Sequence, residues 1–166
     1  MIKKSDLTKV NFPLERACFG CSPNNHLGLK LEFYLDSNRK MFSFYKPNPH
    51  HVSWGKIIHG GISATILDEI SGWIVMFSKK MMCVTSTFEI KYHAPIVMSD
   101  EYTVTGKIID EQNKSIIVES EILDNQDKIY VSSTAKLITL SPRRARMMEI
   151  ISPEDYDQLE NFFKTI

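Results

Sequence analysis

Residues 61–77 read GISATILDEISGWIVMF, with no proline and a high share of Ile, Ala, Leu and Met. The run predicts one helix of about 17 residues, roughly 25 Å long. The wider apolar stretch 57–77 is long enough to suggest a bilayer span, but it holds His59, Asp68 and Glu69, with Gly60 and Gly61 near its start. Carboxylates inside lipid cost several kcal/mol, so a core helix is expected and no integral membrane segment. At about 100° per residue, Ile62, Ile66, Leu67, Ile70, Trp73, Ile74 and Phe77 share one broad side. Gly61, Ala64, Thr65, Asp68, Ser71, Gly72 and Val75 share the other. The first side is a packing face for a sheet. The second is small residues with one carboxylate, where a solvated face would carry Lys, Arg and Glu. It predicts a subunit contact or a substrate slot. Glu69 falls beside the apolar stripe, so Asp68 is the carboxylate better placed for that slot.

Outward from the helix the period changes to two. Upstream, residues 29–35 (LKLEFYL) alternate, and 41–45 (MFSFY) follow a turn at Asp36-Ser37-Asn38, which predicts a hairpin. Downstream, strands are expected over 83–92, 102–110, 115–123 and 129–140. Their joints, Ala94-Pro95, Glu111-Gln112-Asn113 and Asp124-Asn125-Gln126, are turn-like, and short joints favour an antiparallel meander of these four. Residues 1–28, with Pro13, Gly20, Pro23, Asn24, Asn25 and Gly28, read as an irregular lead-in. Ser152-Pro153-Glu154-Asp155 opens a C-terminal helix over 152–164, with Leu159, Phe162 and Phe163 as its apolar side. A mostly apolar lone helix needs a sheet around it. The expected class is α+β: an antiparallel sheet of about six strands wrapped around one long central helix, plus a short C-terminal helix, with 1–166 as one domain.

Composition narrows the function. Lys+Arg number 20 and Asp+Glu 20 in 166 residues, so the formal net charge is zero. Bulk charge therefore gives no case for nucleic acid or an anionic membrane as partner. Hydrophobic residues at 43% and charged residues at 24% exclude wholesale disorder. The N-terminal run MIKKSDLTKVNFPLE has no apolar signal region, and Cys18, Cys21 and Cys83 make no disulfide framework. A cytoplasmic protein is expected.

The start of the helix carries chemistry. His59-Gly60-Gly61 lets the chain turn tightly into the first turn and leaves the first N–H groups open to a carbonyl oxygen. That suits an oxyanion as well as it suits a plain tight entry. Gly61 and Asp68 are roughly 10 Å apart along the axis, whereas a base and an oxyanion donor must each come within about 3 Å of the reacting atoms. Two antiparallel helices side by side would bring the N-terminus of one to Asp68 of the other. A two-fold dimer with shared sites is therefore expected.

The run His59-Gly60-Gly61-Ile62-Ser63-Ala64-Thr65-Ile66-Leu67-Asp68-Glu69 resembles the signature of hotdog-fold acyl-CoA thioesterases of the PaaI/THEM4-like group. Cys18-Phe19-Gly20-Cys21 with Asn25 and Gly28-Leu29 is similar to a segment of that group, as is Tyr92-His93-Ala94-Pro95-Ile96 to its Tyr-x-x-Pro step. The likeness runs from about Cys18 to Leu140. It implies hydrolysis of an acyl-CoA thioester, with CoA entering as part of the substrate and no other cofactor. It implies Asp68 as base or nucleophile, the Gly61 N–H on the carbonyl oxygen, and His59 orienting the thioester or bracing the loop. Gly60, Thr85, Ser86 and Glu69 are the matching substrate-side positions, Thr85 acting across the interface. It also implies a homodimer or homotetramer. The stretch 50–55 (HHVSWG) lacks the amide residue that some relatives carry there, leaving His51 or Ser53 as substitutes. A thioester carbon is already electrophilic, so one carboxylate and one oxyanion donor suffice for hydrolysis. A non-catalytic acyl-CoA carrier or sensor is the alternative, and a hydratase ranks behind it because no histidine follows Asp68 at the needed spacing.

Other motifs point elsewhere less strongly. Cys18-x-x-Cys21 followed by His26 begins like a zinc knuckle, but the fourth ligand position is Leu31, so packing is the expected role and no metal is expected. Arg143, Arg144 and Arg146 suit either a clamp for CoA phosphates or a solvated connection. Met147 and Met148 suit an acyl tunnel or a packing gap.

Overall fold

The computed structural model describes residues 2–11, 18–98 and 101–165. Its elements are β1 (Thr8–Lys9), β2 (Phe33–Leu35), β3 (Met41–Tyr45), α1 (Gly60–Lys79), β4 (Met82–Tyr92), β5 (Tyr102–Gln112), β6 (Ser115–Leu123), β7 (Ile129–Leu140), α2 (Pro142–Met147) and α3 (Pro153–Thr165). The strands form one seven-stranded antiparallel sheet in the order β1-β2-β3-β5-β6-β7-β4, wrapped on α1. This is the α+β hotdog arrangement that the sequence predicts.

Three expectations change. The last four strands are not one meander: β5 pairs with β3 (Phe42↔Thr105), and β4 lies outside β7 (Met82↔Leu140). The link after Tyr92 is tied to the loop before α1, through Ile58 N–H to Ile96 C=O at 2.9 Å and the Ile57↔Val97 bridge. It thus carries the chain away from β4 to the middle of the sheet. Second, the lead-in contains β1, and residues 29–32 stay off the ladder because Leu29 and Leu31 donate to the Phe19 and Gly20 carbonyls. Pro13 lies outside the described residues. Third, the connection after β7 is itself helical: Ser141 Oγ caps α2, and Ala145 is fully buried in a small second core with Leu140, Ile151 and Leu159. Ser152 Oγ accepts the Asp155 N–H at 3.1 Å, and Phe162 meets Phe77 edge-on at 5.7 Å, so α3 docks on the end of α1.

The apolar stripe of α1 is buried as expected, with Ile66, Leu67 and Ile70 at 0% exposure and Trp73 stacked on Phe33 at 4.5 Å. The sheet wraps further round than the wheel suggests. Ser71 and Val75, assigned to the small face, are fully buried. Ser71 Oγ donates to the Leu67 carbonyl at 2.7 Å and joins a buried chain through Ser120 to Ser133, so its hydroxyl is satisfied. The small face that remains half-open holds Ala64, Thr65, Asp68 and Gly72, with Gly61 exposed.

Glu32 fastens β1. It pairs with Lys9 and with Lys4, the latter at 3.2 Å, and accepts the Tyr34 hydroxyl at 2.6 Å. The Lys9 bond first, then the Tyr34 bond, hold its carboxyl down at about 2. A depressed carboxyl stabilises the fold above its ordinary value of 4.5, and that contribution is lost as pH falls from there towards about 2. The side chain is 43% exposed, so screening keeps the effect to about 1 kcal/mol or less. Glu32→Gln is expected to lower urea-unfolding stability at neutral pH by that amount, with the gap to wild type closing in acid. An unchanged gap at low pH would contradict this.

Candidate active site

His59 is the N-cap of α1. Its backbone is extended (φ −61°, ψ 133°), and its Nδ1 accepts the Gly61 N–H at 2.9 Å while its carbonyl accepts the Ile62 N–H at 2.9 Å. The imidazole stands where a Ser or Asp side chain usually caps. The Gly61 N–H is thus already engaged, and a substrate carbonyl would have to displace the ring. The expected brace role of His59 is the one this geometry serves. The next donor back is Gly60. As the first residue of α1 its N–H has no intrahelical acceptor, and it finds no backbone acceptor among the described residues.

Gly60 lines a cavity of about 370 Å³ together with Ser53, Ile58, Ser63, Tyr92 and Ile96. The Tyr92 hydroxyl donates to the Gly60 carbonyl at 2.9 Å. A Cβ on Gly60 would sit 3.1 Å from that hydroxyl, so glycine lets the strand end and the helix start close on one another. The loop before α1 is held from behind. The His59 N–H donates to the His51 carbonyl at 2.9 Å, and the His51 ring stacks on Tyr45 with Nδ1 3.0 Å from its hydroxyl. Burial, then His50, lower the His51 pKa. His51 is therefore a brace, and of the two substitutes it is Ser53 that faces the cavity. Sequence inspection missed the Tyr92 and Tyr45 contacts. Tyr92 was quoted only as part of a motif, although a tyrosine at a strand end beside a proline step is a fair signal for such a brace.

Asp68 lies two turns along α1, half-buried on the small face. Thr85 Oγ1 donates to its Oδ1 at 2.7 Å. A β-bulge explains how Thr85 gets there. Thr85 pairs with Leu137 and Thr87 with Lys136, so Ser86 is the extra residue. Before the bulge, Cys83 and Thr85 face the helix; after it, Phe88 and Ile90 pack on the core. Strict alternation cannot do both. Ser86 is exposed beside this pair. Burial, then the Asp68 charge, push the Cys83 thiol up to about 12, which leaves it protonated and unreactive.

Glu69 turns away from the Thr85–Asp68 pair. One residue on, its side chain is rotated to the lead-in, where Oε1 lies 3.2 Å from Cys18 Sγ. Burial, then the Cys18 charge, raise its carboxyl to about 7. The hydrogen bond from Cys21 lowers the Cys18 thiol to about 5, and the same bond raises that of Cys21. Arg143 and Arg146 line a separate cavity of about 350 Å³ with Met147 and Tyr156, between α2 and α3.

Within one chain the parts remain apart. Asp68 and Gly60 are eight residues from one another on one helix, roughly 12 Å, and Asp68 does not line the Gly60 cavity. Beside them, among the described residues, β4 pairs with β7 alone and leaves its other edge without a partner strand along eleven residues. Val84, Tyr92 and Trp54 are exposed at 41%, 53% and 83%.

Known proteins resemble the chain in sequence and in fold. The family model described as Thioesterase superfamily matches residues 55–131. A mouse cytosolic acyl coenzyme A thioester hydrolase is 25% identical over 114 residues, 63% of this chain and 30% of that protein. The Xenopus laevis acyl-coenzyme A thioesterase THEM4 is 23% identical over 114 residues, 66% of this chain and 50% of that protein. The chain therefore spans half or less of these relatives. A Bacillus halodurans protein crystallised with CoA superposes with a TM-score of 0.62 at 23% identity, over 68% of this chain and 76% of that one. The E. coli PaaI protein superposes at 0.61 and 17% identity, over 68% and 81%. No helix among the described residues is long and apolar enough to cross a membrane. Residues 55–131, from the loop before α1 into β7, match the thioesterase superfamily, and the chain around them has the hotdog fold and is distantly similar to acyl-CoA thioesterases.

Proposed function

We propose that the chain hydrolyses an acyl-CoA thioester to a free acid and CoA, as a homodimer whose two sites are each built from both protomers. The Thr85–Asp68 pair at 2.7 Å carries the proposal: a carboxylate fixed by a hydroxyl on an open face that is otherwise small and uncharged. The Asp68 carboxylate takes a proton from water as the water oxygen bonds to the thioester carbon, or it attacks that carbon itself to give an acyl-Asp68 anhydride. Water then cleaves the anhydride to free acid and Asp68 carboxylate, with release of the proton that the thiolate takes up. The developing oxyanion rests on the Gly60 N–H of the other protomer, aided by the dipole of α1. The C–S bond breaks and the sulfur leaves as CoA thiolate, which takes up the proton. Ser86 lies at the same edge and is a substrate contact. The open β4 edge and its exposed apolar residues support pairing with a second copy. Three free cysteines and the cytosolic relative support a reducing, cytoplasmic setting. Release of CoA thiol from short, medium, long and aryl acyl-CoAs is the test. Steady release from at least one class is expected. Binding of acyl-CoA with no release from any would replace the enzyme by a carrier.

A further inference from the structure

The Cys18-x-x-Cys21 loop takes no part in the hydrolysis above, yet it is built against one side chain of the central helix. Cys18, Cys21 and Glu69 each offer a ligand atom, and the three atoms lie within 4.8 Å of one another. Cys18 Sγ is 3.2 Å from Glu69 Oε1. All three residues are half-buried, neither sealed in the core nor loose on the surface. We propose that Cys18, Cys21 and Glu69 form a zinc site that ties the lead-in segment to α1.

The geometry fits the ion. Zn–S bonds of about 2.3 Å and Zn–O bonds of about 2.0–2.2 Å set tetrahedral donors about 3.5–3.8 Å apart. From atoms already within 4.8 Å of one another, small side-chain rotations reach that spacing. Two thiolates and one carboxylate select zinc over magnesium or calcium, which prefer all-oxygen shells. On binding, each thiol gives its proton to solvent and its sulfur lone pair to the metal. A water fills the fourth position.

The surrounding backbone is shaped for this cluster. Gly20 lies between the cysteines, and a Cβ there would fall on Glu69 Cγ and Cδ. Glycine thus lets the loop lie flat on the carboxylate. The Ser22 N–H donates to the Cys18 carbonyl at 3.2 Å and closes the loop into a single turn. The Leu29 and Leu31 N–H groups donate to the Phe19 and Gly20 carbonyls at 2.8 and 3.0 Å, so the loop is anchored before any metal arrives. The cluster is not a knuckle, since neither His26 nor Leu31 belongs to it. The third ligand comes from a helix 48 residues downstream of Cys21, where no local motif would reveal it.

The test is metal content, which is read without any turnover. Untagged protein, purified under reducing conditions with zinc in the medium, is analysed by elemental mass spectrometry. It is then stripped and titrated with Co²⁺ to read thiolate-to-cobalt absorption. About one zinc per chain is expected for wild type, with loss of both zinc and the cobalt bands in Cys18→Ser and Cys21→Ser. Glu69→Gln is expected to keep the thiolate bands but bind cobalt more weakly. Circular dichroism of each variant separates lost binding from lost folding. Should a cysteine variant fail to fold, Glu69→Gln and the wild-type titration still decide. Metal-free protein with three thiols titratable after unfolding and no cobalt bands would overturn the site. So would a single thiol titratable after unfolding, which would mark a Cys18–Cys21 disulfide instead. Undiminished cobalt affinity in Glu69→Gln would remove Glu69 from the ligand set and the proposal with it.

Discussion

Asp68→Asn is expected to lower kcat for acyl-CoA hydrolysis by roughly 10²- to 10⁴-fold, with KM changed little. At about 1.4 kcal/mol per decade that is about 3–5 kcal/mol of lost barrier stabilisation. The amide keeps the size of the carboxylate and still accepts the Thr85 hydroxyl, so neither packing nor the local hydrogen bond gives a reason for loss of binding. What it loses is the ability to take a proton from water or to form an acyl bond. A split between kcat and KM is therefore the signature. A comparable rise in KM with kcat intact would make Asp68 a binding residue. Full activity would remove Asp68 from the reaction and assign the activation of water to another group. Glu69→Gln is the natural contrast: Glu69 contacts Cys18 rather than the open face, and kcat is expected to stay within a few-fold of wild type.

Much of this was legible before any coordinates. The helix 61–77 and its apolar stripe follow from periodicity, and so do the residues that bury it, because burial of a 3.6-period face leaves a pattern in the chain. The place of Asp68 followed too, as a carboxylate half-buried on a face of small residues. What periodicity does not carry is pairing order. Strand β4 reads like any alternating strand, and nothing local says that it turns its back on β5 and lies beside β7. The bulge at Ser86 is equally silent, since one extra residue in a run of Thr and Ser changes no composition, yet it decides which hydroxyl meets Asp68. The choice between Gly60 and Gly61 depended on a single imidazole. His59 was read as facing the substrate or the loop; its hydrogen bond to Gly61 shifts the open donor back by one residue. Glu69 was drawn into the substrate group by its neighbour in sequence, whereas one residue along a helix turns a side chain by about 100°.

The second large effect tests the shared site directly. Gly60→Pro removes the N–H proposed to hold the oxyanion while leaving the helix its normal start. Proline is tolerated at the first helical position, where the N–H has no intrahelical acceptor. The preceding His59, at φ −61° and ψ 133°, already has the extended backbone that a following proline requires. The nearby Tyr92 hydroxyl belongs to a half-exposed side chain that can give way. Loss of one oxyanion donor is expected to cost roughly 10²- to 10³-fold in kcat. Gly60→Pro and Asp68→Asn homodimers are each nearly inactive on this account. Unfolded together and refolded at equal concentration, half of the dimers are mixed. Each mixed dimer unites the intact Asp68 of one protomer with the intact Gly60 of the other at one of its two sites. Activity is then expected to return to about a quarter of wild type. A site built within one chain cannot be rescued, because each chain lacks one half of it. No recovery in demonstrably mixed dimers would thus confine catalysis to the single protomer, and the roughly 12 Å between Gly60 and Asp68 along α1 would then have to be bridged by some other donor nearer to Asp68.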